Sequence, residues 1–323
     1  MTDYEVVLPF WLDRPDIEAM DVALAASDAG FAAVWIGEMA TYDAFALATA
    51  IGLRAPGMPL KIGPLAVGVR GPVTLALGAS SVASLTGNRV DIALGASSPM
   101  IVAGWHQRRW DHHVAVMRET IDCLRSMLDG ARVDYTGRYV SSHGFRLRSP
   151  APETRIALGA FGPGMIRLGA RQADEIALNL SSPERVAQVR AMVDAAATQA
   201  GRSAPRLTVW VPAAVDPGDA AHAQLAAQLA VYLAPPGYGE MFSALGFGDL
   251  VGKARAGTTR RELAAAIPVE LLRAVCALGD AGQVAAGLRA YRDAGADCVA
   301  IVPSTAEDPG GRATLHAIAG RHQ

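Results

Sequence analysis

The most unusual run of side chains is Trp105-His106-Gln107-Arg108-Arg109-Trp110, with Asp111, His112 and His113 directly after it. Two indoles beside an imidazole and two guanidinium groups make a stacking wall with hydrogen-bonding heads, suited to an organic substrate. His106 is the candidate proton donor or acceptor, since an imidazole of ordinary pKa, ~6.5, titrates near neutral pH. A rim segment that merely packs its tryptophans is the competing reading. Asp111 is the only nearby carboxylate, so no metal site is expected. Glu38 stands alone after Val34-Trp35-Ile36-Gly37. Acid, base and acceptor roles are open to it, and so is an ion pair with an arginine. Ser97 and Ser98, in Gly95-Ala96-Ser97-Ser98-Pro99, could hold a ligand's polar edge or cap a helix. They lie outside a GxSxG elbow and are not read as nucleophiles. In Gly159-Ala160-Phe161-Gly162-Pro163-Gly164-Met165, glycines precede a helix start, where backbone N–H groups and the helix dipole favour an anion such as phosphate. A tight turn needing positive φ is the alternative. No Lys-Ser/Thr follows, and the spacing is not GxGxxG.

These residues need elements to position them. Short apolar runs predict strands over Tyr4–Pro9, Ala32–Gly37, Leu60–Val69, Val90–Leu94, Arg155–Phe161, Glu175–Leu180, Leu207–Val215 and Asp297–Pro303. Amphipathic stretches between them predict helices. Pro72 opens one, and His113–Leu128 carries Met117, Ile121, Leu124 and Leu128 on one face. Runs without strict alternation imply parallel strands covered on both faces. Eight β/α units in one chain predict an α/β fold, a (β/α)8 TIM barrel forming a single domain over 1–323, with an open doubly wound sheet as runner-up. Two segments interrupt the alternation. Residues 132–148 read as an inserted hairpin, and 234–267 as an irregular Gly- and Pro-rich insertion. In a barrel the active site lies at the strand C-termini. That rule selects Trp11, Glu38, Ser97, Ser98, Phe161 and Asn179. Residues 99–112 and 234–267 are the expected covers of the mouth, the second bringing Tyr238, Met241 and Phe242.

Composition excludes several classes. The 29 basic and 31 acidic residues leave a net charge of -2, without the basic patch of a nucleic-acid binder. No apolar run is long enough for a membrane span, and the N-terminus lacks the pattern of a signal peptide. Cys123, Cys276 and Cys298 are far apart in sequence, so neither a disulfide framework nor a zinc knuckle is expected. A cytoplasmic enzyme is the expectation.

The chain resembles the luciferase-like monooxygenase superfamily, in the branch that uses coenzyme F420. The resemblance is carried by Ile62-Gly63-Pro64-Leu65-Ala66-Val67, Arg70-Gly71-Pro72-Val73-Thr74-Leu75-Ala76, Ser84-Leu85-Thr86-Gly87-Asn88-Arg89, and Ala93-Leu94-Gly95-Ala96-Ser97-Ser98. It continues in Ala160-Phe161-Gly162-Pro163-Gly164-Met165 and Asp293-Ala294-Gly295-Ala296-Asp297. It implies a luciferase-like barrel in which a strand-three bulge at Leu65-Ala66, with a non-prolyl cis peptide and Gly68 close by, presses on the ring. Phe161, Gly162, Gly164 and Met165 would hold the cofactor phosphate, and Glu38, Ser97 and Ser98 would meet the ring's polar edge. Trp11, Trp105, His106 and Asn179 would wall a small-molecule substrate, and a homodimer is expected. The chain departs from the sugar-phosphate dehydrogenases of that branch. Glu38-Met39 replaces their Asp-His, and Asn179-Leu180-Ser181-Ser182 offers no lysine for a phosphate. An FMN-dependent monooxygenase with a partner reductase is the alternative on the same fold. A flavin-binding barrel without turnover is a third.

Overall fold

The computed structural model describes residues 4–11 and 13–320. Its elements run β1 Glu5–Val7, α1 Glu18–Asp28, β2 Val34–Ile36, α2 Ala44–Arg54, β3 Leu60–Ala66, α3 Pro72–Thr86, β4 Val90–Gly95 and, after a π-helical turn at Met100–Trp105, α4 His113–Leu128. A hairpin, β5 Val133–Thr136 and β6 Ser141–Phe145, precedes β7 Ile156–Gly159, α5 Pro163–Gln172, β8 Glu175–Asn179, α6 Pro183–Gln199 and β9 Arg206–Val215. Then come α7 Asp219–Ala230, α8 Tyr238–Phe242, α9 Gly248–Arg255, α10 Arg260–Ala266, α11 Val269–Val275, β10 Ala277–Gly279, α12 Ala281–Asp293, β11 Cys298–Pro303 and α13 Arg312–Ala319.

The sheet order is β10-β9-β11-β1-β2-β3-β4-β7-β8, and β8 also pairs with β9. Strands β1, β2, β3, β4, β7, β8, β9 and β11 therefore close into the expected (β/α)8 barrel. The short β10 was not foreseen. It adds parallel to the end of β9, Ala277 opposite Ala213 and Gly279 opposite Val215. The 132–148 insertion is the expected antiparallel hairpin. The 234–267 segment is not irregular, since it folds into α8, a π-helical turn at Ser243–Phe247, α9 and α10. Its glycines mark the joints between short helices, with Gly237 at φ 88° and Gly246 at φ 94°.

The chain divides into two compact units, one of residues 1–32, 178–191 and 207–323, the other of 33–177 and 192–206. In the second unit, sequence sets helix ends directly. Asp43 caps α2 by accepting from the N–H groups of Phe45 and Ala46, both at 3.0 Å. Pro72 occupies the first turn of α3, and Gly87 ends it at φ 71°.

The inner face of these strands follows from one contact. Lys61 on β3 donates to both carboxylate oxygens of Glu175 on β8, at 2.8 and 2.7 Å. Two strands separate β3 from β8, so the pair meets across the barrel interior. Its ammonium also lies 4.6 Å from the centroid of the Trp35 ring. Parallel register then carries this face around the unit, because paired residues point the same way. Trp35 pairs with Lys61, and Lys61 with Asp91. Two residues on, Ala93 pairs with Ala157, and Ala157 with Glu175.

Both members of the Lys61–Glu175 pair are buried, at 4% and 3% exposure. Replacing Lys61 by Met leaves a buried carboxylate without its cation, which should cost roughly 3–5 kcal/mol. Lys61→Met with Glu175→Gln should regain most of that loss in urea unfolding. A double variant no more stable than Lys61→Met would show that the two charges are not coupled.

Candidate active site

Above the ion pair, the inward positions of the second unit turn small. Two residues beyond Trp35 is Gly37, two beyond Ala93 is Gly95, and two beyond Ala157 is Gly159. Strand β3 breaks the pattern. Its register with β4 slips between Ile62 and Leu65, so the bulge lies at Gly63-Pro64, just before Leu65-Ala66, which the resemblance named and which pair regularly with Leu94 and Gly95. The cis peptide, however, is Gly63–Pro64 and not a non-prolyl bond at Leu65–Ala66. An X–Pro bond admits the cis form at far lower cost than any other peptide bond, which accounts for the difference. Gly63 takes φ 129°, and a Cβ there would stand 2.2 Å from the Ala93 carbonyl oxygen. The Pro64 ring fills the space that the glycines leave. A Cβ at Gly95 would lie 3.0 Å from Pro64 Cβ, and one at Gly159 3.3 Å from Pro64 Cγ. The strand ends of this unit thus form a floor of proline and glycine with no side chain rising from it at Gly37, Gly95 or Gly159.

Past the bulge, the chain is tied down from two sides. A Cβ at Gly68 would meet Val102 Cγ1 at 2.9 Å, so the turn is packed against the π-helical segment. Arg70 donates through Nε to Glu38 at 3.0 Å and through Nη2 to both Glu38 and Asp43. Its guanidinium also faces the Phe45 ring at 5.2 Å. Glu38 accepts in addition from the Ala44 N–H at 3.3 Å. Of the roles open to Glu38 in the sequence, the structure shows the ion pair. A carboxylate so engaged serves as an anchor for the α2 start. Arg70 was quoted only as part of a sequence motif. The signal for its role was the lone Glu38, which needed a cation.

The loop after β4 is partly helical. Ser97 takes φ 63° and is exposed. Ser98 Oγ accepts from the Ile101 N–H at 3.4 Å, the capping alternative. Trp110 is drawn back, donating to the Ala96 carbonyl at 3.2 Å with its ring centroid 4.1 Å from that of His113. Burial pushes the His113 imidazole below its usual pKa, opposed by Asp111 and aided by His112. Arg108 donates to the Val69 carbonyl at 3.1 Å, so this loop and the β3 bulge brace each other. Trp105, 51% exposed, and His106 project from the end of the π-helical turn.

The start of α5 is built as the sequence suggested. The N–H groups of Met165 and Ile166 both return to the Gly162 carbonyl, at 3.1 and 3.0 Å. No acidic residue lies in the first turn of α5. Its positive end is therefore not neutralised locally. A Cβ at Gly162 would meet nothing within 4 Å, whereas one at Gly164 would approach Val114 Cγ2 at 3.3 Å. Phe161 is half-buried beside this turn.

In the first unit, Trp11 follows β1 and donates its indole N–H to the Pro303 carbonyl at 3.2 Å, at 7% exposure. Asn179 ends β8, and burial pushes the phenols of Tyr232 and Tyr238 up in pKa, against the influence of Asn179. The Tyr232 and Tyr238 rings pack at 4.9 Å. Tyr232 was missed, because it sits just past α7 in a stretch that reads as ordinary helix.

A sequence pattern shared by the luciferase-like monooxygenases matches residues 15–298, and the chain belongs to that family. A Mycobacterium tuberculosis protein named provisionally as a coenzyme F420-dependent oxidoreductase is 26% identical, covering 93% of this chain and 94% of its own length. The 5,10-methylenetetrahydromethanopterin reductase of Archaeoglobus fulgidus is 27% identical over 55% of this chain and 54% of its own. Among solved structures, the coenzyme F420-dependent tetrahydromethanopterin reductase of Methanopyrus kandleri superposes with a TM-score of 0.82 at 17% identity, covering 98% of each chain. That likeness shows the shared fold.

Asp43 gives the Arg70 cluster a pH signature. Burial works to raise its carboxyl, but the bonds from Arg70 and from the Ala46 and Phe45 N–H groups hold it below the usual 3.8. Its stabilisation is therefore complete above that value and lost as pH falls through the lower folded pKa. Arg70→Met should cost about 1 kcal/mol at neutral pH, kept small because the cluster is partly solvated. The gap from wild type should narrow as the pH falls below 3.8 in a series of unfolding curves. A gap constant with pH would mean that Arg70 stabilises through packing on Phe45.

Proposed function

We propose that the chain is an oxidoreductase that binds coenzyme F420 and passes hydride between it and a small organic substrate. The observation that carries this reading is the floor of Pro64 between Gly95 and Gly159, with Gly37 alongside. A flat fused-ring system needs a side-chain-free surface, and a Cβ at either Gly95 or Gly159 would crowd Pro64. The donor set fits the rest of such a cofactor. Residues 162–165 present backbone and a helix start without acidic neighbours, as a phosphate diester requires. The coenzyme F420 in the name of the Mycobacterium tuberculosis relative points the same way.

When bound, the deazaflavin supplies a carbon that gives or takes hydride. The chain's own residues do the remaining work. The backbone at Leu65 and Ala66, just past the bulge, would support the ring together with Gly68, and its position is kept by Val102 and by the Arg70–Glu38 pair. Ser97 and Ser98 would meet the ring's polar edge. Trp105 gives the substrate a stacking surface, and His106 carries the proton that hydride transfer leaves to be moved. Trp11 closes the first unit's strand ends with its buried indole.

Titration with F420 and with FMN, followed by fluorescence quenching, tests the cofactor. F420 should bind more tightly. Tighter binding of FMN would move the chain to the oxygen-using monooxygenases.

The phosphate seat is tested at Gly162, where a Cβ meets nothing and backbone φ is -81°. Gly162→Ala should leave cofactor affinity close to wild type. Gly162→Asp should weaken it by about 2 kcal/mol, because a carboxylate then faces the anion at the helix start. Equal affinity in both variants would place the phosphate elsewhere.

A further inference from the structure

A polar cleft of about 580 Å³ opens at the other end of the second unit's strands. Its walls are the last turns of α4 and α5 and the turn that follows α6. Asp174, on that wall, immediately precedes β8 and accepts from the N–H of Ile156, the first residue of β7, at 2.9 Å. The cleft therefore lies at strand N-termini, whereas barrel chemistry takes place at the C-termini. Arg171, which also lines it, is in the last turn of α5, at the opposite end of that helix from Gly162.

The wall is built by hydrogen bonds between these elements. Arg125 on α4 donates to the Gln172 carbonyl at 3.1 Å and to Asp174 at 2.9 Å. Arg202 donates to the Ala173 carbonyl at 3.0 Å, and Gln172 Nε2 donates to Asp122 at 2.9 Å. Three lining groups are left over. Gln172 Oε1 is buried and accepts from no donor among the described residues, an arrangement that costs free energy in a folded chain. The Arg171 guanidinium and the Asp129 carboxylate pair neither with each other nor with any other side chain among the described residues. Two opposite charges that line one cleft without meeting leave space for a molecule that carries both.

We propose that this cleft is a second binding site and that its ligand is a zwitterionic α-amino acid. The ligand carboxylate meets the Arg171 guanidinium, whose forked N–H groups match two carboxylate oxygens. The ligand ammonium meets Asp129, the C-cap residue of α4, where the helix dipole also favours a cation. A further N–H of that ammonium serves Gln172 Oε1. A cleft of this volume holds an amino acid together with its side chain. A lone anion leaves Asp129 unmet and faces the carboxylates of Asp122 and Asp174. A lone cation leaves Arg171 unmet. The site rests on none of the contacts assigned to the cofactor.

Ligand-observed NMR titration of the purified protein tests this, with glycine, L-serine and L-glutamine as probes. At least one should bind saturably with a Kd of about 1 mM or tighter. Acetate and ethylammonium each carry one charge of the pair, and each should bind at least ~10-fold more weakly, having one charge-assisted contact in place of two. Arg171→Gln and Asp129→Asn alter exposed side chains, and each should weaken amino-acid binding at least ~10-fold. Arg167→Gln, one turn earlier on α5 and outside the cleft lining, should leave it unchanged. The proposal is overturned if no probe binds with a Kd of about 1 mM or tighter. It is overturned equally if acetate binds as tightly as the amino acids, or if either cleft variant keeps wild-type affinity.

Discussion

The register slip in β3 is the constraint on which the rest of the second unit depends. Between Ile62 and Leu65 the strand stops matching β4 residue for residue. Gly63 absorbs the change at a backbone angle that L side chains rarely adopt, against a carbonyl that leaves no room for a Cβ. Pro64 is thereby turned toward the strand ends of β4 and β7, where a Cβ at position 95 or 159 would crowd it. The same slip sends residues 67–70 out over the mouth, where Gly68 meets Val102 and Arg70 reaches Glu38 and Asp43. Strand, floor, turn and ion pair are thus linked steps of one backbone deviation.

Charge is distributed along the barrel in a way that suits this floor. Lys61 and Glu175 sit a layer below it and pair with each other. At the mouth, the Arg70 guanidinium is consumed by two carboxylates. The start of α5 has no such partner in its first turn. It therefore offers an incoming anion a positive feature that is made of backbone.

Much of this was legible in the sequence, for identifiable reasons. Pro72 and Pro163 open helices because proline's missing N–H is no loss there. The strands read as apolar runs because both their faces are covered. The hairpin showed its alternation. The glycine-rich insertion misled because Gly237 and Gly246 do bend the chain, while Gly239 is packed inside a helix against Arg255 and Leu233. Helices of five to eight residues such as α8 and α9 are too short to show a period. Strand β10, with three residues, is shorter still. The helix start at Gly162 was legible because glycine and proline mark it. The Glu38–Arg70 contact was illegible, because no spacing in sequence ties the two residues.

The two units differ in the chemistry they offer. The unit built from β2, β3, β4 and β7 supplies glycine, proline, backbone N–H groups and paired charges. At positions 63, 95 and 159 a Cβ would meet a neighbouring atom, whereas at 162 it would meet nothing. The unit carrying the end of β8 and the long insertion supplies an amide, two phenols and an indole. The amide and the indole come from strand ends, and Tyr238 from the insertion, whose short helices are joined by glycines. A strand end therefore contributes a group fixed by the sheet, whereas the insertion contributes groups whose placement depends on its own joints at Gly237 and Gly246.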